Sequence, residues 1–354
     1  MLKANTHIHT PYSFSSFSDM EQAFKMAVAE DIKYLGINDF NVTDGYKDFY
    51  ELAQKYNIHP LFNIEIIAFS KELQNKGIRV NDPVNPGRFY LCGKGLNYPS
   101  AIKEKSKMLL ARVNNESQRQ MREVLEKLNV WLQEIDLDIV LNYEYILKRF
   151  ARNSVRERHI AQALRTAIFE RYTEDAERDK VLQRLYGGES SKVSITNVSS
   201  LDNELRNNLF KAGKRAFVAE DEQAFVTIEQ ACEIIIDGGG MPCYPVLLDG
   251  AGGTITEFEA DKELLLQNLT NLGINCIELI PHRNKLEIME PFVRYFYEKK
   301  FSITFGTEHN TPELLPLTPY CSEKTPLTDF LLKVNYEGAK FIAAHQNNSS
   351  IMRN

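Results

Sequence analysis

Short apolar runs alternate with amphipathic segments at both ends of this chain, and the middle changes character. Residues 3–9 read as a buried strand. Ser18-Asp19 predicts a helix start, with Met20–Ala29 as the helix. The run Tyr34-Leu35-Gly36-Ile37-Asn38-Asp39 is apolar and ends in polar residues, so it reads as a second buried strand. Lys47–Tyr56 follows as a helix and His59–Ala68 as a third strand. Strand, helix, strand, helix, strand is the pattern of parallel βα units, in which function collects at the carboxyl ends of the strands.

From Lys71 the rhythm breaks. Residues 81–88 form a turn-rich loop, and residues 99–215 read as a helical block. Within it Met121, Val124, Leu125, Leu128, Trp131 and Leu132 keep helical spacing. Arg156–Tyr172 and Glu174–Leu185 read as further helices, Glu189–Leu201 as a loop, and Leu205–Lys214 as a short helix. The αβ alternation then returns: helix Thr227–Ile236, stopped by Gly238-Gly239-Gly240, strand Met241–Leu248, helix Glu259–Leu272, strand Cys276–Ile280, helix Lys285–Lys299 and strand Ser302–Phe305. The architecture expected is a βα barrel in two parts, residues 1–98 and 216–320, interrupted by a helical insertion at 99–215. A tail follows at 321–354, with an amphipathic piece Leu327–Val334 and a frayed Asn347-Asn348-Ser349-Ser350.

Composition narrows the partners. Hydrophobic residues make up 43% and charged residues 25% of the 354 positions, as in soluble globular proteins. The net charge of −6 argues against nucleic acid or an anionic membrane as the main partner. An anionic small substrate would need local help from metal ions or placed Lys and Arg. No run is long enough to span a membrane, and Met1-Leu2-Lys3-Ala4-Asn5 shows no signal-peptide core, so a cytoplasmic location is expected. The five cysteines are scattered without C-x-x-C spacing, so reduced thiols and no zinc cluster are expected. The sequence does not fix an oligomeric state.

Several residues that can bind metal fall at predicted strand ends: His7, His9, Asp39, Glu65, Glu308 and His309. In a strand, His7 and His9 share a face, and Ile8 points into a core. Imidazole and carboxylate together suit Zn²⁺, Mn²⁺ or Fe²⁺. Singly, each also has a structural reading as a hydrogen-bonded strand-end residue. Arg88 and Lys94 lie in a Gly- and Pro-rich loop that could grip an anion, or simply be solvated. Arg158, beside His159, could reach the same pocket or lie on a wet helix face. His282 ends a predicted strand, where it could serve as a general acid or as a structural residue.

These residues carry a resemblance. Thr6-His7-Ile8-His9-Thr10, Leu35–Asn41, Ile64-Glu65, Ser154–Ala161, Ala216-Phe217-Val218, Gly240–Pro245 and Phe305–Asn310 resemble, in order and spacing, the motifs of the PHP (polymerase and histidinol phosphatase) superfamily. The resemblance implies an α/β fold: a distorted (β/α)7 TIM-like barrel with a helical insertion, holding up to three metal ions. Its usual reaction is hydrolysis of a phosphate ester by a metal-bound hydroxide. By the same resemblance one metal would be held by His7, His9, Glu65 and Glu308. A second would share Glu65 and use His159, with Tyr244 standing where the family has a His. The third is expected to be lost: Phe40 follows Asp39 where the family has a His, and Ser13-Phe14-Ser15 occupies the region of another ligand. Asn310 stands in place of the last His, with His309 one residue early.

One or two divalent ions (Zn, Mn or Fe) are therefore expected. The reading is a metal-dependent phosphoesterase acting on a phosphorylated small molecule or nucleotide. Two other readings stay open, a non-catalytic barrel that binds a ligand or protein, and a mononuclear amidohydrolase-like enzyme acting on a non-phosphate substrate.

Overall fold

The computed structural model describes residues 3–250 and 252–351. Seven strands form one sheet in sequential order: β1 (Lys3–Ile8), β2 (Ile32–Phe40), β3 (His59–Phe69), β4 (Arg88–Lys94), β5 (Met241–Val246), β6 (Cys276–Leu279) and β7 (Ser302–Phe305). The sheet is α/β and nearly closed. A parallel bridge between Ile8 and Glu308 joins β1 to the chain just beyond β7. Neighbouring strands are parallel except at β4, which runs antiparallel to both β3 and β5.

The fourth strand corrects the expectation of a loop around Arg88 and Lys94. The β3–β4 link carries only a five-residue helix, α3 (Lys71–Asn75), so no full crossover helix returns the chain to the other end of the sheet. Gly87, at φ +78°, turns the chain directly back into β4.

Helices α1 (Met20–Ala29) and α2 (Tyr46–Tyr56) pack outside the first strands. Asp19 caps α1 by accepting from Gln22 N, and left-handed Asn57 ends α2. The insertion comprises α4 (Glu104–Glu134), α5 (Tyr143–Phe150), α6 (Glu157–Arg171), α7 (Asp175–Leu185) and α8 (Val198–Leu209). The last of these begins inside the expected loop and ends five residues before Lys214, because Asn197 supplies the cap. Helices α9 (Ile228–Asp237), α10 (Lys262–Asn271) and α11 (Leu286–Glu298) complete the barrel's outer layer. Helix α12 (Asp329–Ile351) runs through the segment expected to fray. No helix among the described residues is long and apolar enough to cross a membrane.

Two large hydrophobic cores result among the described residues. One fills the space between sheet and outer helices; the other, built on Leu128, Leu132, Ile160, Leu164 and Leu205, lies within the insertion. Helix α4 belongs to both: Leu110 and Val113 pack in the barrel core, Met121 to Leu132 in the insertion core.

Candidate metal centre and cleft

His7 and His9 leave β1 fully buried at the carboxyl end of the sheet, while Ile8 packs into the barrel core. His7 Nδ1 lies 2.7 Å from Glu278 Oε2, on β6. The other Glu278 oxygen accepts from Lys94 Nζ at 2.6 Å, deep inside the barrel. Burial opposes charge on all three groups, but their mutual attraction overrides it. The Lys94 and His7 charges hold the Glu278 carboxyl down at about 2, and Glu278 holds both Lys94 and His7 above their ordinary values. Lys94 is therefore the counter-ion of a buried carboxylate and not a substrate ligand, which corrects the sequence expectation.

His9 is oriented by a second chain of bonds. Its Nδ1 lies 3.2 Å from Ser13 Oγ, and Ser13 donates its single hydroxyl proton to Asp39 Oδ1 at 2.6 Å. Ser13 must then accept from His9 Nδ1–H. Thr10 holds the same carboxylate through its backbone N–H at 2.7 Å and its hydroxyl at 2.6 Å. Asp39 thus orients a histidine through Ser13, with its own oxygens occupied.

Both imidazoles consequently turn Nε2 lone pairs toward the same point, where the two atoms face each other at 3.2 Å. Glu65, at the site from β3, places Oε2 3.1 Å from His9 Nε2 and 3.6 Å from His7 Nε2. Burial raises the affinity of Glu65 for a proton, but the two histidines outweigh it and hold its pKa down at about 2. Where both Nε2 atoms are unprotonated, the three groups present electron pairs to one point that a cation can occupy. The donor set of two nitrogens and one oxygen fits a divalent ion of the Zn, Mn or Fe type. Glycine at 306 makes the convergence possible, because a Cβ there would overlap Cβ of His7.

The remaining sequence candidates are placed differently. Glu308 lies at the rim with both oxygens engaged: Oε1 by Arg283 Nη1 at 2.9 Å, and Oε2 by Arg283 Nη2 and by Asn310 Nδ2 at 2.7 Å. Its carboxylate stands outside the three-donor group. His309 turns away from the site. Its Nε2 donates to Leu315 O at 2.8 Å, its Nδ1 pairs with Thr307 Oγ1 at 2.8 Å, and its ring stacks on Phe17. Tyr244 is fully buried outside the site, donating to Glu259 Oε1 at 2.8 Å. His282 sits in a short turn, and burial and Arg283 hold its pKa down at about 4. Its neighbour Arg283, not its own ring, reaches the cleft.

His159, on α6, lines a cavity of about 420 Å³ together with Phe14 and Arg158. Its Nδ1 accepts from Arg156 N–H at 3.0 Å, which leaves the proton of the neutral ring on Nε2. Burial, reinforced by Arg156 and Arg158, lowers its pKa to about 3, so the ring is uncharged at neutral pH. In this tautomer it offers a hydrogen-bond donor.

Of the three donors, Glu65 lines a cleft of about 1220 Å³ between the barrel mouth and the insertion, with His7 and His9 buried behind it. Two phenylalanines at expected ligand positions form platforms there. Phe40 stacks on His9 with centroids 4.6 Å apart and carries the Arg156 guanidinium 5.5 Å above its ring. Phe14 lies 5.1 Å from His159 and carries Arg158 at 5.3 Å. The rings present π faces over which guanidinium cations rest. Arg88 also lines the cleft, paired with Glu220 and stacked 5.2 Å from Phe225.

Glu278, Asn38 and Arg283 are missing from the sequence-derived site. Asn38 Nδ2 lies 3.0 and 3.2 Å from the two ring nitrogens of His7. The signal for Glu278 was present: a lone carboxylate in the apolar strand Cys276-Ile277-Glu278-Leu279 needs an interior partner. Arg283 carried no such signal, because only the turn after β6 decides which of three consecutive polar residues faces the cleft.

The PHP domain, as a family model, matches residues 5–240. No curated protein matches the sequence significantly. A provisionally assigned metal-dependent phosphoesterase from Bifidobacterium adolescentis has a similar fold, with a TM-score of 0.62 at 14% identity, over 95% of this chain and 96% of that one. An amidohydrolase from Chromobacterium violaceum, solved with bound sulfate and no metal, is similar at a TM-score of 0.57 and 14% identity, covering 96% of each chain.

Proposed function

The chain belongs to the PHP domain family, and on that premise we propose that it is a metal-dependent hydrolase of phosphate esters of small molecules. The observation that carries this reading is the convergence of His7 Nε2, His9 Nε2 and Glu65 Oε2 at the floor of a cleft whose walls are rich in arginine. A divalent ion held by these residues would supply Lewis acidity toward a phosphoryl oxygen and toward water.

The chain's own residues would do the rest. Glu278 and Ser13 fix the tautomers of His7 and His9 and hold their rings in place. Arg156 and Arg158, spread over Phe40 and Phe14, would bind and orient the anionic end of the substrate. The insertion covers the barrel mouth and would limit water around the ester.

Metal content of protein purified without chelator tests the first half, and turnover of a panel of phosphate monoesters with added Mn²⁺ or Zn²⁺ tests the second. Absence of both bound metal and metal-stimulated phosphatase activity overturns the reading. The His7–His9–Glu65 group would hold one ion, and the second three-donor group, His7–Cys92–Glu278, shares His7 with it, so a mononuclear centre, as the amidohydrolase-like alternative requires, also fits. Amide and lactone substrates in the same panel separate the two. Metal-dependent turnover that disappears in Glu65→Gln eliminates a purely ligand-binding barrel.

A further inference from the structure

We propose that Glu308 is not a metal ligand but the support of Arg283, and that Arg283 is an anchor for an oxyanion of the substrate. The proposal rests on the phosphoesterase reading for the substrate's class, but not for the site itself.

The Arg283–Glu308 pair is built end-on. Both Nη atoms of Arg283 reach the two oxygens of Glu308, and Asn310 Nδ2 takes Oε2 as well. Such a carboxylate has little left to offer an ion. The backbone holds it there. Glu308 and His309 both adopt left-handed conformations, at φ +56° and +58°. The N–H groups of Thr307 and Glu308 both donate to His7 O, at 3.1 and 2.9 Å. Strain of this kind in two consecutive non-glycine residues persists only where the surroundings enforce it.

A guanidinium has two edges that can grip an anion, end-on through both Nη atoms and side-on through Nε and one Nη. Glu308 occupies the first. No hydrogen bond from Nε occurs among the described residues, and the Arg283 side chain is 33% exposed in the cleft that Glu65 floors. The side-on edge is free for a second oxyanion. Among the other cations lining this space, Arg88, Arg206 and Lys211 are each paired with a carboxylate, and Arg156 and Arg158 have no salt bridge among the described residues. Arg156 has a buried Nε with no hydrogen-bond partner, and Arg158 spends one N–H on Asn203. The three arginines supply positive charge beside the His7–His9–Glu65 group without any further metal ligand.

The test uses the full-length chain and two titrations by calorimetry, Mn²⁺ and inorganic phosphate, with thermal unfolding as a folding control. Mn²⁺ is expected to bind at one equivalent, with affinity in Glu308→Gln within about threefold of the parent, while Glu65→Gln loses it. Phosphate affinity, measured after chelator treatment, is expected to fall about tenfold or more in Arg283→Ala. Arg283→Lys should recover only part of it, because lysine keeps the charge but not the bidentate edge. Loss of Mn²⁺ in Glu308→Gln comparable to that in Glu65→Gln, or unchanged phosphate binding in Arg283→Ala, overturns the proposal. Failure of the parent to bind Mn²⁺ counts against the enzymatic reading instead, and the phosphate titration still decides on Arg283.

Discussion

Glu278 Oε2 lies 2.7 Å from His7 Nδ1, and the same carboxylate accepts from Lys94 Nζ at 2.6 Å, so the outward nitrogen of His7 is set by a charge pair buried in the barrel. Glu278→Gln should weaken Mn²⁺ or Zn²⁺ binding about 10- to 100-fold, as loss of an outer carboxylate does elsewhere. It should also destabilise the fold by about 3–5 kcal/mol, because Lys94 is left buried and uncompensated. Adding Lys94→Met should recover most of the stability and none of the metal affinity. Urea unfolding and metal titration of the single and double variants measure the two effects separately.

The relay from Asp39 through Ser13 to His9 gives a milder expectation. Ser13→Ala removes the acceptor of His9 Nδ1–H and leaves the ring free to take the other tautomer. Metal affinity should drop about tenfold, with the unfolding midpoint moving little beside that of Glu278→Gln. Equal affinity in parent and variant would show that Ser13 does not orient the ring.

Arg156 should act on substrate and not on metal. Its guanidinium rests on Phe40, which rests on His9. Arg156→Ala is expected to raise KM for an active phosphate ester tenfold or more while metal affinity stays within a few-fold. Phe40→Leu should raise KM by a smaller factor, since a cation–π contact contributes about 0.5–2 kcal/mol. Steady-state kinetics with one ester resolves both.

Tyr244 and Glu259 form a buried hydrogen-bonded pair outside the His7–His9–Glu65 group, and it should make stability depend on pH. Burial pushes the Glu259 carboxyl up to about 7, against bonds from Leu247 N, Tyr244 and Leu248 N that favour the anion. The folded protein therefore binds a proton more tightly than the unfolded chain between the ordinary carboxyl value, about 4.3, and 7. This group's contribution is greatest below that window and declines as pH rises through it. Urea midpoints at pH 5 and 8 should show a loss in the parent that is smaller in Glu259→Gln. An identical pH dependence in both proteins would rule the carboxyl out as its source.

Strand-end chemistry was legible wherever local geometry alone decides it. The alternation of His7, Ile8 and His9 gave two imidazoles on one face, and Glu65 follows from the third apolar run. What was not legible depends on contacts between distant segments. Arg88 and Lys94 look like loop residues because glycine and proline surround them, yet antiparallel pairing with Ile64–Phe69 makes them the ends of a strand. Lys94 then faces inward, and only Glu278, 184 positions away, explains a buried ammonium there. The order Glu308-His309-Asn310 gave no way to choose which side chain meets the site. Two consecutive left-handed residues send His309 toward Phe17 and leave Glu308 and Asn310 at the rim. Phe14 and Phe40 read from the sequence only as lost ligands; that arginines of the insertion settle on their rings was not legible there.

Helix α4 is the ruler between those two halves. Its 31 residues span about 46 Å at the α-helical rise, with one end in the barrel's core and the other in the insertion's. Such a rod transmits rotational phase as well as distance. One extra residue between Val113 and Met121 would turn everything beyond it by about 100°. Arg156 and Arg158 would swing off the cleft while every donor from the barrel stayed in place. The geometry of the cleft is thus encoded partly in an interval of helix outside the His7–His9–Glu65 group, and its length is as much a part of the site as the histidines.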